Sequence, residues 1–308
     1  MPIAPATTAL PQAWLNQLRL HPVAAGGLAL SVIAIAVLFA QSLASVFSGV
    51  AGTGLRYGLL AGLAGFGATA VGALGGLVLR GVSQKAEDSM LGFAAGMMLA
   101  ASSFSLILPG IEAGERLTGS GPLGALTVVA GLGLGVLLML GLDQFTPHTH
   151  DSTGNLGPGA DRFNRVWLFV FAITLHNLPE GMAMGVSFSQ GDMSVGLPLS
   201  TAIAIQDIPE GLAVVMALRA VGVRMANAVL LAALSGFMEP LGALLGLGLV
   251  GGFALAYPIG LGLAAGAMIF VVSHEVIPET HRNGHQTPAT LGLMAGFALM
   301  MLLDTALG

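Results

Sequence analysis

Two short segments carry the residues best suited to chemistry. LHNLPEG at 175–181 and IQDIPEG at 205–211 repeat one order: a histidine or glutamine, an asparagine or aspartate, an aliphatic residue, proline, glutamate and glycine. On a helix, positions three and four apart share a face. His176 and Asn177 therefore stand beside Glu180, and Gln206 and Asp207 beside Glu210. Imidazole suits late first-row metals, and carboxylates and amides suit harder ions. One imidazole among many oxygens points to a divalent transition metal held moderately enough to leave. A further carboxylate, Glu239, sits in the next apolar stretch. Met98, in GMMLAASS, offers either a thioether or simple packing, and its own segment does not decide between them.

The elements that must hold these groups are membrane spans. The chain has 308 residues, 55% of them hydrophobic and only 8% charged. A soluble domain carries about 25% charged residues, so the expectation is an all-α, polytopic membrane helix bundle. A bilayer core about 30 Å thick needs roughly 20 apolar residues of helix. Nine stretches qualify, at about 24–46, 56–79, 89–111, 122–143, 165–189, 195–218, 225–249, 253–278 and 287–307. The domain reading is a cytoplasmic segment 1–23, a transmembrane helix 24–46 and an eight-helix unit 56–307. Residues 24–46 follow a long polar leader with no A-x-A site close behind; a retained helix is the reading, a cleaved signal peptide the alternative. The break at 144–164 has the composition of a flexible loop.

With the N-terminus in the cytoplasm, the inner side collects Arg19, Arg80, Lys85, Arg162, Arg165, Arg219, Arg224 and Arg282, and the outer side only Arg56 and Arg116. That bias follows the positive-inside rule and sets the C-terminus outside. Ten basic residues provide no patch for nucleic acid, and the absence of cysteine removes thiolate ligands and disulfides. The 46 glycines read first as tight helix packing; smooth sliding surfaces are the other reading.

Glu180, Asp207, Glu210 and Glu239 all fall near span centres, where no Lys or Arg lies. A carboxylate there costs about 2.5–3.5 kcal/mol, so four cost roughly 10–14 kcal/mol if isolated. Two divalent cations would balance four carboxylates. Pro179 and Pro209 withdraw hydrogen bonds from the carbonyls of Leu175 and Ile205, and Pro240 is expected to free that of Gly236. Broken helices of this kind build ion sites at the midplane of transporters.

The H-N-x-P-E-G followed by Q-D-x-P-E-G on the next helix resembles the ZIP family of divalent-metal transporters, in particular its GufA-like bacterial branch. The resemblance covers spans 2–9, the family's eight-helix core; span 1 is extra. It implies a two-metal site, with one metal among Met98, His176, Glu180, Gln206, Asp207 and Glu210. The other would lie among Asn177, Glu180, Asp207, Glu210 and Glu239. It also implies metal uptake into the cytoplasm across the inner membrane, with zinc and sometimes Cd, Fe or Mn as cargo. A homodimer and an elevator-like motion of one helix bundle are implied as well. The loop that is often long and His-rich in this family offers only His148 and His150 here, and the all-histidine version of the first motif is absent.

Polar residues near span ends are candidates for the metal's way in and out, against the ordinary reading of solvated helix ends. Glu112, Asp304 and Ser105, with Ser102 and Ser103, stand on the outer side. Asp143, His148, His150, Asp151, His274, Glu275, Glu279, His281 and His285 stand on the inner side. Two other classes compete with transport. An intramembrane metalloenzyme needs a catalytic base and an open metal position, but H-E-x-x-H is missing, since Pro278 follows His274 at i+4. A proton-conducting carboxylate protein would need no metal. ATP use is not expected without a G-x-x-x-x-G-K-[ST] loop.

Overall fold

A computed structural model of the chain describes residues 15–16, 18–47, 52–79, 82–145, 148–150, 154–156, 165–220, 222–249 and 254–308. Within them helices account for nearly everything. They are α1 (Pro22–Phe47), α2 (Thr53–Val78), α3 (Gln84–Ala101), α4 (Leu108–Thr118), α5 (Gly121–Phe145), α6 (Arg165–Phe188), α7 (Met193–Ala220), α8 (Met225–Ser235), α9 (Met238–Leu249), α10 (Ala256–Val271), α11 (Ile277–His281) and α12 (Gln286–Leu307). Helices α3–α4, α8–α9 and α10–α11 each run on as one rod, so the described residues form nine rods. Seven are long and apolar enough to cross a membrane; α1 and α6 are 26 and 24 residues long. The protein is a multi-pass membrane helix bundle.

The rods depart from the expected spans where local chemistry takes over. The third begins at Gln84, not 89, because Ser83 caps it by accepting from the Ala86 amide and Glu87 lies in its first turn, where the helix dipole favours an acid. It ends at Gly119, whose φ of 72° supplies the left-handed cap. Prolines explain two irregularities. Ser102–Ile107 and Val272–Val276 are π-helical, and each precedes a proline, Pro109 and Pro278. A proline ring clashes with the carbonyl four residues back and donates nothing to it; a wider turn relieves the clash.

The expected span 225–249 runs as one rod, Met225–Gly248, with a two-residue turn at Gly236–Phe237. There the Gly236 carbonyl is not freed as expected, because the Glu239 amide donates to it at 3.0 Å. Part of the loop at 144–164 is also ordered differently: β1 (His148–His150) pairs antiparallel with β2 (Gly154–Leu156), with Thr149 opposite Asn155. Asp151 and the rest of that loop, like most of segment 1–23, lie outside the described residues.

The helices pack as two groups. One holds α2, α6, α7, α8 and α9; the other holds α3, α4, α5, α10, α11 and α12. They meet where α3 crosses α7 and where α6 crosses α10, while α1 touches α5 in one group and α9 in the other. The glycines show why each group is tight. A Cβ at Gly96 would run into the Leu293 carbonyl, at Gly135 into that of Leu263, at Gly185 into that of Ala243 and at Gly211 into that of Thr69. Each of these approaches joins helices of one group. Glycine here lets backbones touch where lipid provides no hydrophobic drive, and the first reading of the composition, packing, is the one these contacts support.

Gly75 is different: a Cβ there meets nothing within 4 Å, because it borders an apolar crevice of about 640 Å³ between the groups. Gly96→Leu is therefore expected to destabilise by about 1–3 kcal/mol through overpacking, whereas Gly75→Leu leaves stability nearly unchanged. Thermal unfolding of the two variants in detergent checks the contrast.

Candidate metal centre

The paired motifs converge. Helix α6 runs unbroken through Pro179 and α7 through Pro209, and their polar faces meet. One carboxylate oxygen from each of Glu180, Asp207 and Glu210 can be chosen so that all lie within 4.8 Å of one another. Gln206 Nε2 donates to Glu180 Oε1 at 2.7 Å. Asn177, Glu180, Gln206 and Asp207 are buried, and Glu210 is half-buried. Glu239 joins from the first turn of α9, where the helix N-terminus favours its charge. It is fully buried and interacts electrostatically with both Glu180 and Asp207.

Four buried polar atoms in this cluster lack a partner: Glu180 Oε2, Gln206 Oε1, Asp207 Oδ2 and Glu239 Oε2. A buried acceptor left unpaired costs about 1–3 kcal/mol, more when charged. All four are oxygens that can coordinate a cation, and the clustered carboxylates that carry three of them repel one another. This donor set fits a divalent cation.

His176, expected to share a helix face with Glu180, also reaches the other helix group. Its Nε2 lies 2.6 Å from Glu275 Oε2, on the π-turn after α10. Glu275 in turn groups with Asp143 and His274, each with a ligand atom within 4.8 Å of the others; the His274 ring stacks on Phe270 with centroids 5.0 Å apart. Three of the inner-side candidates thus gather next to His176. His285 does not. Its Nδ1 lies 2.7 Å from Asp88 Oδ2, and Asn283 Nδ2 donates to Asp88 Oδ1 at 3.1 Å, clasping the start of α3 to the turn before α12. His281 Nδ1 lies 2.9 Å from the Ile277 carbonyl of its own helix. His148 and His150 are placed by their backbone in β1.

At the opposite end, Ser105 donates to Asp304 Oδ1 at 2.6 Å, while Ser102 and Ser103 bond back to the Met98 and Leu99 carbonyls. The ordinary alternative therefore holds for two of the three serines. Glu112 is exposed on α4. Met98 is buried in the apolar core on α3.

Two residues near the centre escaped sequence reading. Thr69 of α2 donates to Glu239 Oε1 at 2.8 Å. At Gly65, one turn away, a Cβ would overlap Glu239 Oε2, so that glycine makes the room this oxygen occupies. A threonine among glycines and alanines at mid-span was a weak signal, and Gly65 resembles every other packing glycine.

Comparison with known proteins now decides the family. The ZIP zinc transporter model matches residues 147–304. The chain belongs to the ZIP zinc transporter family. It is 64% identical to zinc transporter ZIPB of Bordetella bronchiseptica, over 96% of each chain. It is 44% identical to zinc transporter GufA of Myxococcus xanthus, over 83% of this chain and all of that one. Human zinc transporter ZIP11 is 29% identical over 87% of this chain. The ZIP family is named for transport, and catalysis is not this protein's role.

In this ZIP chain the Thr69–Glu239 bond is open to a direct test. Thr69→Val removes the donor and leaves both Glu239 oxygens unpaired. It is expected to cost about 1–3 kcal/mol, read as a lower melting temperature, and Thr69→Ser is expected to restore most of it.

Proposed function

We propose that the protein carries zinc, with Cd, Fe and Mn as further candidate cargo, through the centre formed by α6, α7 and α9. The observation that carries this reading is the approach of one carboxylate oxygen each of Glu180, Asp207 and Glu210 within 4.8 Å of one another, with unpartnered buried oxygens on Glu180 and Asp207. Buried carboxylates with no lysine or arginine among them are stabilised by the cation they accompany. Two metals are proposed, the first held by Met98, His176, Glu180, Gln206, Asp207 and Glu210, the second by Asn177, Glu180, Asp207, Glu210 and Glu239. The shared carboxylates bridge them. Ligands bind metal only when deprotonated, so protons and metal compete for this centre.

The proposed path begins at Ser105 and Asp304, with Glu112 further out, and leaves by Glu275, His274 and Asp143 toward His148 and His150. Direction is inward, in an inner membrane with the N-terminus cytoplasmic, in keeping with the eight-to-two bias in basic residues. Residues 56–307 form the transport unit and 24–46 the added helix; a homodimer is the proposed assembly.

The two helix groups supply a basis for an elevator-like motion. All four central carboxylates ride on α6, α7 and α9, in one group, while Glu275 and Met98 belong to the other. Sliding one group past the other would carry the carboxylates as a set and would break the His176–Glu275 link.

Uptake of labelled Zn, Cd, Fe and Mn into vesicles, with and without a pH gradient, tests the reading. Zinc uptake above protein-free vesicles is expected. Glu180→Ala and Asp207→Ala are expected to lower it roughly tenfold or more and to lose the rise in melting temperature that zinc gives the parent protein. Flat uptake of all four metals, equal to protein-free vesicles, would overturn it.

A further inference from the structure

Thr69 of α2 lies outside the proposed ligand set and yet touches it. It is buried, and its hydroxyl donates to Glu239 Oε1 at 2.8 Å, from 170 positions away in the sequence. Other hydroxyls in the bundle bond back to their own helices. Ser102, Ser103, Thr118, Ser200 and Thr305 each donate to the carbonyl four residues earlier, the ordinary outcome for a hydroxyl within a helix. Thr69 instead gives its proton to a carboxylate of another helix.

The threonine is itself fixed from two sides. A Cβ at Gly236 would stand 2.9 Å from Thr69 Cβ, and one at Gly211 would run into the Thr69 carbonyl. Gly211 directly follows Glu210, and Gly236 opens the turn before Glu239. The hydroxyl is thus held in register with the helices that carry the cluster. The other oxygen of Glu239, Oε2, is buried without a partner and fills the notch left by Gly65, where a Cβ would overlap it. A carboxylate pinned at one oxygen and walled at the other does not turn freely, so it does not swing both oxygens onto one ion. That bears on the choice of ion. Zinc is usually four-coordinate, whereas manganese favours an octahedron of oxygens. With one oxygen from each of Asn177, Glu180, Asp207, Glu210 and Glu239, the second proposed site falls one short of that octahedron. A Glu239 free to offer both oxygens would complete it.

We propose that Thr69 is a positioning residue that sets ion preference: it holds Glu239 in a one-oxygen mode that favours zinc over manganese. Glu239 meets the metal, and Thr69 acts through it. The proposal rests on the transport reading and names what tunes selectivity at that centre.

Thr69→Val and Thr69→Ala both remove the hydroxyl, the first keeping the side-chain volume and the second reducing it, while Thr69→Ser keeps the hydroxyl. Each full-length variant is titrated with zinc chloride and with manganese chloride, and the rise in melting temperature gives the concentration at which each metal acts. Loss of the hydroxyl is expected to lower the zinc-over-manganese preference about tenfold, and Thr69→Ser is expected to keep the wild-type preference. Uptake of the two metals offered together to vesicles is expected to shift the same way. A purely structural role would lower the melting temperature without metal and leave the preference where it was. An unchanged preference in either hydroxyl-free variant, or a Thr69→Ser that behaves like them, overturns the proposal. If wild-type vesicles take up zinc and the variants keep the preference, this proposal alone falls. If the preference shifts and wild-type vesicles take up no metal, the transport reading alone falls.

Discussion

The structure turns on one electrostatic constraint. Glu180, Asp207, Glu210 and Glu239 are drawn together inside the bundle, close enough to repel one another. Three nearby features relieve part of that repulsion. Gln206 takes one oxygen of Glu180, Thr69 takes one of Glu239, and the start of α9 offers its dipole to the same Glu239. What those partners leave unsatisfied is a set of buried oxygens that, on the proposed reading, a cation would coordinate.

The architecture divides rigidity from freedom. Glycine contacts weld helices inside each group, backbone against backbone. Between the groups lie an open apolar crevice on one side and a small acid-lined cavity on another. The short His176–Glu275 link crosses that seam. Helix α1 touches both groups, so any relative motion on the proposed reading must also be accommodated along its length.

Much of this was legible in the sequence, because hydrophobic run length and the paired P-E-G motif report on spans and on shared helical faces directly. The nine rods and the convergence of Glu180, Asp207 and Glu210 follow from those two signals. What was not legible depends on contacts between distant segments. Nothing in the sequence around Asp88 names its partners, yet it is buried against His285 and Asn283, almost two hundred positions away. The turn at Gly236–Phe237 hid inside an unbroken apolar run, since apolarity does not report local backbone geometry. Gly65 could not be told from its neighbours, because only the three-dimensional path of Glu239 gives it meaning.

The π-turns at Ser102–Ile107 and Val272–Val276 each amount to a surplus residue lodged in an α-helix. An α-helix advances about 100° and 1.5 Å per residue. Taking the extra residue out of either turn would close the ordinary ladder, swing everything beyond it by that angle and draw it back by that rise. Ser105 and Glu275, which lie within these turns, owe their bearing to a local miscount. The chain meets Asp304 at one end and His176 at the other because its winding is out of step there, and a deletion that changes no polar residue at all would unaim both.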